Sequence, residues 1–244
     1  MINVLIGYIL SMIIGIIAYE RKTLSESGVL TAIIVGTVMF AYGGWFAFLF
    51  LLLFFVSSAY LNTYNKEKAP ANRNTAQVLA NGGFAALFAI LYEITGQQMF
   101  YILIFVSITV STCDTWSSEI GRLAKNKPKH ILTLKPMHTG LSGAVTPLGL
   151  LASLAAGILF GSLSYIGHQD VLMMVYIAFF GFLGSLIDSV LGTIQVKYTD
   201  GSMITEIKSK TFEKYSGLSW LNNTWVNVFA NVFTLGLFYL IVFM

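Results

Sequence analysis

Two short stretches of this chain carry residue types that could do chemistry in otherwise apolar surroundings. Ser111-x-x-Asp114-Thr115-x-x-Ser118 and Ser185-x-x-Asp188-Ser189-x-x-Gly192 share one pattern, Ser-x-x-Asp-[Thr/Ser]-x-x-[Ser/Gly], and each lies at the far end of a hydrophobic run. An aspartate at mid-bilayer costs ~2.5–3.5 kcal/mol on insertion scales, so two carboxylates at matched positions are functional candidates. Helical spacing puts Ser111, Asp114, Ser118 and Gly121 on one face, with Thr115 and Glu119 on an adjacent stripe. Ser185, Asp188, Gly192 and Gln195 share a face in the same way. Cys113 is the sole cysteine and no second histidine stands at metal-site spacing, so the carboxylates suit a hard cation. Mg²⁺, bound through one or two carboxylates plus substrate phosphates, fits that donor set, with Asp114 and Asp188 as its ligands.

Other polar groups point to phosphate. Asn74, Gln77 and Asn81 follow i, i+3, i+7 spacing behind Arg73, so they line one face of a helix start beside a cation. Such a helix start can hold a phosphate; equally, it can be a capped terminus whose amides pack between helices. The segment 122–141 is the most basic in the chain, with Arg122, Lys125, Lys127, Lys129 and Lys135. From Lys135 onward it mixes a cation with the hydroxyls of Thr139, Ser142 and Thr146 and with Gly140 and Gly143, a composition able to wrap phosphates. It is not a P-loop, because Gly-x-x-x-x-Gly-Lys-[Ser/Thr] is absent. Asn223, Asn227 and Asn231 form an amide ladder at i, i+4, i+8, suited to substrate or to interhelical bonding. His130 and His138 read as surface residues.

The elements that position these groups follow from composition. A chain of 244 residues that is 56% hydrophobic and 10% charged is not an ordinary soluble domain, where charged residues run near ~25%. Apolar runs of bilayer-spanning length number eight: Ile2–Tyr19, Val29–Tyr42, Trp45–Leu61, Val78–Thr95, Met99–Gly121, Ser142–Ser162, Val171–Gln195 and Asn222–Phe243. The second and third are separated only by Gly43-Gly44, which reads as a tight helical hairpin. All 14 Lys and Arg fall in the segments 21–22, 66–73, 122–135 and 197–214, after alternate spans. Basic residues are retained in the cytoplasm, so the expected topology has both termini outside and the polar motifs at the cytoplasmic boundary. The fold class is thus an all-α integral membrane protein of about eight transmembrane helices, forming a single polytopic domain over residues 1–244. Its cytoplasmic loops are 20–28, 62–77, 122–141 and 196–221.

Within that frame Asp114 lies about 22 Å along the fifth span and Asp188 about 26 Å along the seventh. Both spans run in the same direction, so the two motifs form a parallel internal repeat. Gly7, Ser11 and Gly15 make a packing seam on the first span, residues 20–26 read as a solvated turn, and Val196–Thr205 suggests a small hairpin around Asp200-Gly201. The first span lacks the basic N-terminal region of a cleaved signal peptide. A formal charge of +3 is too small and dispersed for nucleic acid, but suits lipid headgroups or a phosphorylated substrate. A carboxylate–phosphate site at the lipid–water boundary fits an amphiphile with an apolar tail and a phosphate head, and phosphoryl transfer is mostly positioning and electrostatic stabilisation.

Four ordered motifs resemble those of an integral-membrane family that contains plant phytyl-phosphate kinase and animal transmembrane protein 19. They are Asn72-Arg73-Asn74-Thr75-x-Gln77-Val78-x-Ala80-Asn81-Gly82-Gly83, Asp114-Thr115-Trp116-Ser117-Ser118-Glu119-Ile120-Gly121, Gly184-Ser185-x-x-Asp188-Ser189-x-Leu191-Gly192-x-x-x-Gln195 and Trp220-Leu221-x-Asn223-x-x-Val226-Asn227. The resemblance implies phosphorylation of a prenyl monophosphate, such as phytyl or geranylgeranyl phosphate, by a nucleoside triphosphate, CTP in this family. On that reading Glu119 assists the Mg²⁺-holding Asp114 and Asp188, while Arg73, Lys135 and Thr139 contact phosphates. The remaining polar groups, Asn74, Gln77, Asn81, Ser118, Ser142, Ser185, Gln195, Asn223 and Asn227, complete the expected binding site. Leu141 departs from the family's Gly-Thr-x-Gly-Gly-Val-Ser segment, which runs here Gly140-Leu141-Ser142-Gly143-Ala144-Val145-Thr146. Two other functions are compatible with the residues: a transporter or flippase with Asp114 and Asp188 as ion sites, and a nucleotidyltransferase making a CDP-linked lipid. Such a bundle is compatible with an oligomer.

Overall fold

Long apolar helices dominate the computed structural model, which describes residues 1–64 and 72–244. Lys66, Lys68 and the rest of the link through Ala71 lie outside the described residues. The helices are α1 (Ile2–Glu20), α2 (Glu26–Tyr64), α3 (Thr75–Thr95), α4 (Gln98–Gly121), α5 (Pro147–His168), α6 (Val171–Gly192) and α7 (Asn223–Phe243). Each is long and apolar enough to cross a membrane.

Helix α2 is two segments, not one rod. Gly44 adopts φ 82°, ψ 171°, a combination essentially restricted to glycine, and breaks the helix. Val35 and Leu51 both come within 3.5 Å of a single point on α3, the Cβ position of Gly82. In a continuous helix those two residues would stand about 24 Å apart along the axis. Residues 26–43 and 45–64 therefore fold back on each other, and the Phe40 and Phe48 rings meet edge to face at 5.6 Å across the turn. The described residues thus form the expected eight apolar helical segments.

Small residues set how closely the helices approach. The α1 seam packs on the first half of α2: an added Cβ would fall 2.9 Å from Phe40 Cβ at Gly7 and 3.2 Å from Val29 Cγ1 at Gly15, and Ser11 Oγ lies over Gly36. On α5, Gly149, Ser153, Gly157 and Gly161 recur every fourth residue, a spacing that lets backbones touch. Added Cβ atoms at Gly149, Gly157 and Gly161 would fall 2.7 Å, 2.7 Å and 2.6 Å from the carbonyl oxygens of Ser117, Ala178 and Met174. Helix α5 is in this way wedged between α4 and α6, which run parallel. Gly181 abuts Thr109 and Gly184 abuts Val110, so the two repeat helices pack in matching register. Away from the polar end the core is aromatic, with Phe50, Phe105, Phe160, Phe180 and Phe238 fully buried.

The connections at the basic end carry the remaining structure. Strands β1 (Lys129–His130) and β2 (Ala144–Val145) pair antiparallel. Strands β3 (Lys197–Thr199), β4 (Ile204–Thr205) and β5 (Glu213–Ser216) form a small sheet in the order β4-β3-β5. The β3–β4 hairpin is the one expected around Asp200-Gly201, with Gly201 at φ 90° and Asp200 Oδ1 accepting from Ser202 N and Met203 N. The Ser202 hydroxyl, which donates to the same oxygen at 2.7 Å, and then these backbone bonds hold the Asp200 carboxyl below the usual carboxylate range.

Two expectations need correction. The sixth span does not start at Ser142, because Thr146 caps α5 and Pro147 fills its first turn, leaving 142–146 as loop and strand and extending the helix to His168. The segment 20–26 is not merely a solvated turn. Leu24 is buried, Arg73 N donates to Thr23 O at 3.1 Å, and Ser25 N donates to Arg73 O at 3.0 Å.

Candidate active site

The ends of five helices and the loop before α5 enclose a cavity of about 300 Å³ at the basic end of the bundle. Asp114 and Asp188 face each other in it, near enough for a direct side-chain hydrogen bond between the carboxyls. Their meeting follows from the matched register of α4 and α6, since each sits one turn beyond the contact of Gly184 with Val110. Asp188 is buried at 8% exposure, whereas Asp114 is half-buried.

Glu119 lines the same cavity, also at 8% exposure, although it belongs to the stripe beside Asp114. It lies close enough to Arg73 to act on it electrostatically, and the Arg73 guanidinium donates to Ser58 Oγ on α2. Burial pushes the Arg73 guanidinium below its ordinary range, and the Glu119 charge opposes that shift. The Arg73 backbone is fixed by its pairing with Thr23 and Ser25, so the cation is anchored from two sides. Asn227 on α7 sits between α3 and α6. Its amide lies 3.3 Å from Asn81 Oδ1, and in the orientation that gives both ends a partner its nitrogen donates to Asp188 Oδ2 at 3.0 Å.

Loop 139–146 forms the opposite wall. Gly140 and Gly143 adopt φ 86° and 83°, and Gly143 lies against the end of α6, where an added Cβ would fall 2.8 Å from Thr193 Cγ2. Thr146 ties this loop to α4 by donating to Gly121 O at 3.2 Å while accepting from Gly149 N at 3.0 Å. Leu141 is buried at its departed position. Arg122, the C-cap of α4, reaches Gly140 O at 3.5 Å.

Of the residues expected from the sequence, Asp114, Glu119, Asp188, Arg73, Gln77, Asn81, Ser118, Thr139, Ser142, Asn223 and Asn227 line this one cavity. Four do not. Asn74 is the N-cap of α3, its side chain accepting from Gln77 N at 3.2 Å in a reciprocal capping box, so the helix-start reading applies to it. Lys135 is exposed, and its carbonyl accepts from His130 N at 2.8 Å. Ser185 is buried one turn deeper than Asp188. Gln195 is buried beyond the end of α6, where its carbonyl lies against Gly217.

One contributor escaped sequence reasoning. Glu206, directly after β4, reaches across to loop 139–146 and accepts from Ser142 N at 2.5 Å and from Ser142 Oγ at 3.1 Å. It also lies close enough to Asp188 and Lys197 to act on both electrostatically. Lys197 caps α6 by donating to Gly192 O at 3.1 Å and Thr193 O at 3.3 Å. Burial pushes its ammonium below the usual lysine range, and Glu206 opposes the shift. No local periodicity marks Glu206. The hairpin signal at Asp200-Gly201 was the one cue that this segment doubles back.

The donor set is chemically uniform. Two carboxylates held this close repel unless a proton or a cation lies between them. Among the described residues no three His, Cys, Asp or Glu side chains cluster as an all-protein metal cage. An oxygen pair of this kind fits a cation that completes its shell with water and phosphate oxygens.

Residues 9–235 match the family described as "Integral membrane protein DUF92". The chain is 32% identical to Protein PGR of Arabidopsis thaliana, over 95% of its own length and 93% of that protein. It is 30% identical to an uncharacterized membrane protein of Methanocaldococcus jannaschii, over 80% of its length and 84% of the relative. Protein VTE6, chloroplastic, of Arabidopsis thaliana is 25% identical over 84% of this chain and 61% of that protein. No solved structure matches. With a match across nearly its whole length, and with the motifs of that family gathered at one cavity, the chain belongs to the DUF92 family of integral membrane proteins.

Proposed function

We propose that this protein is a prenyl-phosphate kinase, transferring the terminal phosphoryl group of a nucleoside triphosphate, CTP in the first instance, to a prenyl monophosphate. The observation that carries this reading is the convergence of Asp114 and Asp188 with Arg73, Glu119 and the glycine- and hydroxyl-bearing loop 139–146 in one cavity at the basic end of an apolar bundle. The family resemblance, through the phytyl-phosphate kinase among its members, supports the substrate class. By the placement of basic residues the cavity faces the cytoplasm and both termini lie outside.

The chain's own residues account for the demands of the reaction. An acceptor phosphate is already anionic, so its attack needs no general base. Its oxygen bonds to the terminal phosphorus as the bond to the nucleoside diphosphate breaks. Asp114 and Asp188 would hold a Mg²⁺ ion, which neutralises charge on the transferring phosphoryl group. Arg73 offsets acceptor charge, with Glu119 fixing its position. Backbone and hydroxyl donors at Ser142 and neighbouring positions of the loop suit the donor phosphates. Purified protein incubated with geranylgeranyl or phytyl phosphate, Mg²⁺ and each nucleotide tests the assignment. Prenyl diphosphate and nucleoside diphosphate are expected. Pyrophosphate release would replace the kinase with a nucleotidyltransferase, and flux into proteoliposomes without nucleotide would replace it with a transporter.

A further inference from the structure

A second cavity, about 80 Å³, lies between α1, both halves of α2 and the start of α3. Its character is opposite to the first. Apart from Ser11 and the groups at its mouth, its wall is apolar, formed by side chains such as Val35, Phe48, Leu51 and Phe54. Yet it shares Arg73, Gln77 and Asn81 with the polar cavity, so the two adjoin at the residue placed at the acceptor phosphate.

Three features give this cavity a direction. Its basic end is marked by Leu24 and Arg73, which pair. It extends to Ser11, about 14 Å deeper along α1. Ala32, Leu52 and Phe55 in its wall are half-exposed on the outer surface of the α2 hairpin, so the cavity also approaches the lipid side. Gly15, Gly36 and Gly82 line it, in a wall otherwise built of Phe, Leu, Ile and Val. The Ser11 hydroxyl at its deep end is 5% exposed and makes no hydrogen bond among the described residues.

We infer that this cavity seats the apolar tail of the lipid-phosphate substrate, beginning with the segment next to the head group. The inference rests on the kinase reading of the polar cavity and names where its substrate lies. An amphiphile whose phosphate is held by Arg73 must carry its first tail carbons away from that side chain. The apolar space that starts at Arg73 runs between α1 and the α2 hairpin. The volume holds the leading part of the tail, and the remainder leaves past Ala32, Leu52 and Phe55 into the bilayer. Val35 and Leu51, which face each other across Gly82, become the residues that select tail shape.

The test uses the wild-type protein in nanodiscs and a geranylgeranyl phosphate carrying a diazirine in its second isoprene unit. Crosslinks suppressed by unlabelled prenyl phosphate are expected within 11–15, 32–36, 48–55 or 78–82. Suppressible crosslinks confined to α5, α6 or α7, or no suppressible crosslinks, overturn the inference. Val35→Phe, assayed beside it, is expected to lower kcat/KM for geranylgeranyl phosphate ~10-fold or more and to weaken the suppressible crosslinks, the scale on which an apolar pocket senses a methylene or two. Diphosphate formation with crosslinks elsewhere removes the tail site and keeps the kinase. Crosslinks at the expected positions without any diphosphate remove the kinase and keep a lipid-phosphate site.

Discussion

Gly143→Ala probes whether loop 139–146 must lie against α6 for the site to work. Alanine meets two obstacles there. At φ 83° a Cβ faces the left-handed penalty of ~1–2 kcal/mol. The same Cβ would fall 2.8 Å from Thr193 Cγ2 and 3.0 Å from the Thr193 Cα and N, and overpacking of this kind costs ~1–3 kcal/mol. Gly140→Ala is the matched control. Its φ of 86° brings the same conformational penalty, but its nearest contact is the Arg122 guanidinium at 3.5 Å, an ordinary separation. The difference between the variants isolates the contact with α6, which at ~1–3 kcal/mol corresponds to roughly 5- to 150-fold in a rate or binding constant. Thermal unfolding in detergent and prenyl-phosphate phosphorylation should both rank wild type, Gly140→Ala and Gly143→Ala in descending order. Amide exchange over 140–146 should speed up most in Gly143→Ala. Equal losses in the two variants, or a Gly143→Ala protein with wild-type behaviour, would refute the claim that the loop is held by this contact.

Other expectations can be tested beside it. Asp114→Asn and Asp188→Asn should each lower turnover ~100-fold or more, the scale of losing one preorganised electrostatic contact, and chelation should abolish turnover until Mg²⁺ is restored. Retained activity in both variants would remove the metal role. Asn74→Ala should destabilise the protein by ~1 kcal/mol with kcat/KM unchanged, because its side chain caps α3 and does not line the cavity. A selective rise in KM would return it to the phosphate site. Glu206→Ala should accelerate exchange of the Ser142 amide, with Glu206→Gln intermediate because it keeps an acceptor; unchanged exchange in both would show that the amide is protected by something else. Thr146→Val should lose the α5 cap and the bond to Gly121, lowering stability by ~1 kcal/mol, while Thr146→Ser should retain both.

Much of the architecture was legible because apolar length and charge placement are one-dimensional quantities. The glycine pair between the second and third apolar runs marked the hairpin, and counting along the helix placed Asp114 and Asp188 at similar depth. Their direct meeting depends in addition on α4 and α6 being neighbours in matching register, which the contacts of Gly181 and Gly184 supply. Hydropathy alone misplaced the start of α5: Ser142–Val145 is apolar enough to continue a span, and the decisive signal was the Thr146-Pro147 pair. Asn74 was ambiguous because a capping amide and a phosphate-binding amide are the same residue type at the same place. Lys135 was attractive for its charge, but its backbone pairs with His130 and its side chain is exposed outside the cavity. Glu206 was out of reach because its role depends on a three-stranded sheet folding back over the end of α6, which no spacing rule encodes.

The turn at Gly44 also bears on how the chain enters a membrane. Between Glu26 and Tyr64 the first residue is the only charged one, and the tip is Tyr42-Gly43-Gly44-Trp45. A hairpin closed by so short a turn drags no polar loop across the hydrocarbon, so insertion avoids the ~2.5–3.5 kcal/mol that each buried charge would add. Both halves can therefore be delivered together from one side, already paired, with Trp45 left exposed at the tip to rest at the opposite interface. A side chain at Gly44 would not merely strain the folded protein. By opening the turn it would turn one insertion event into two, and the defect would first be seen as lost membrane integration of newly made chain.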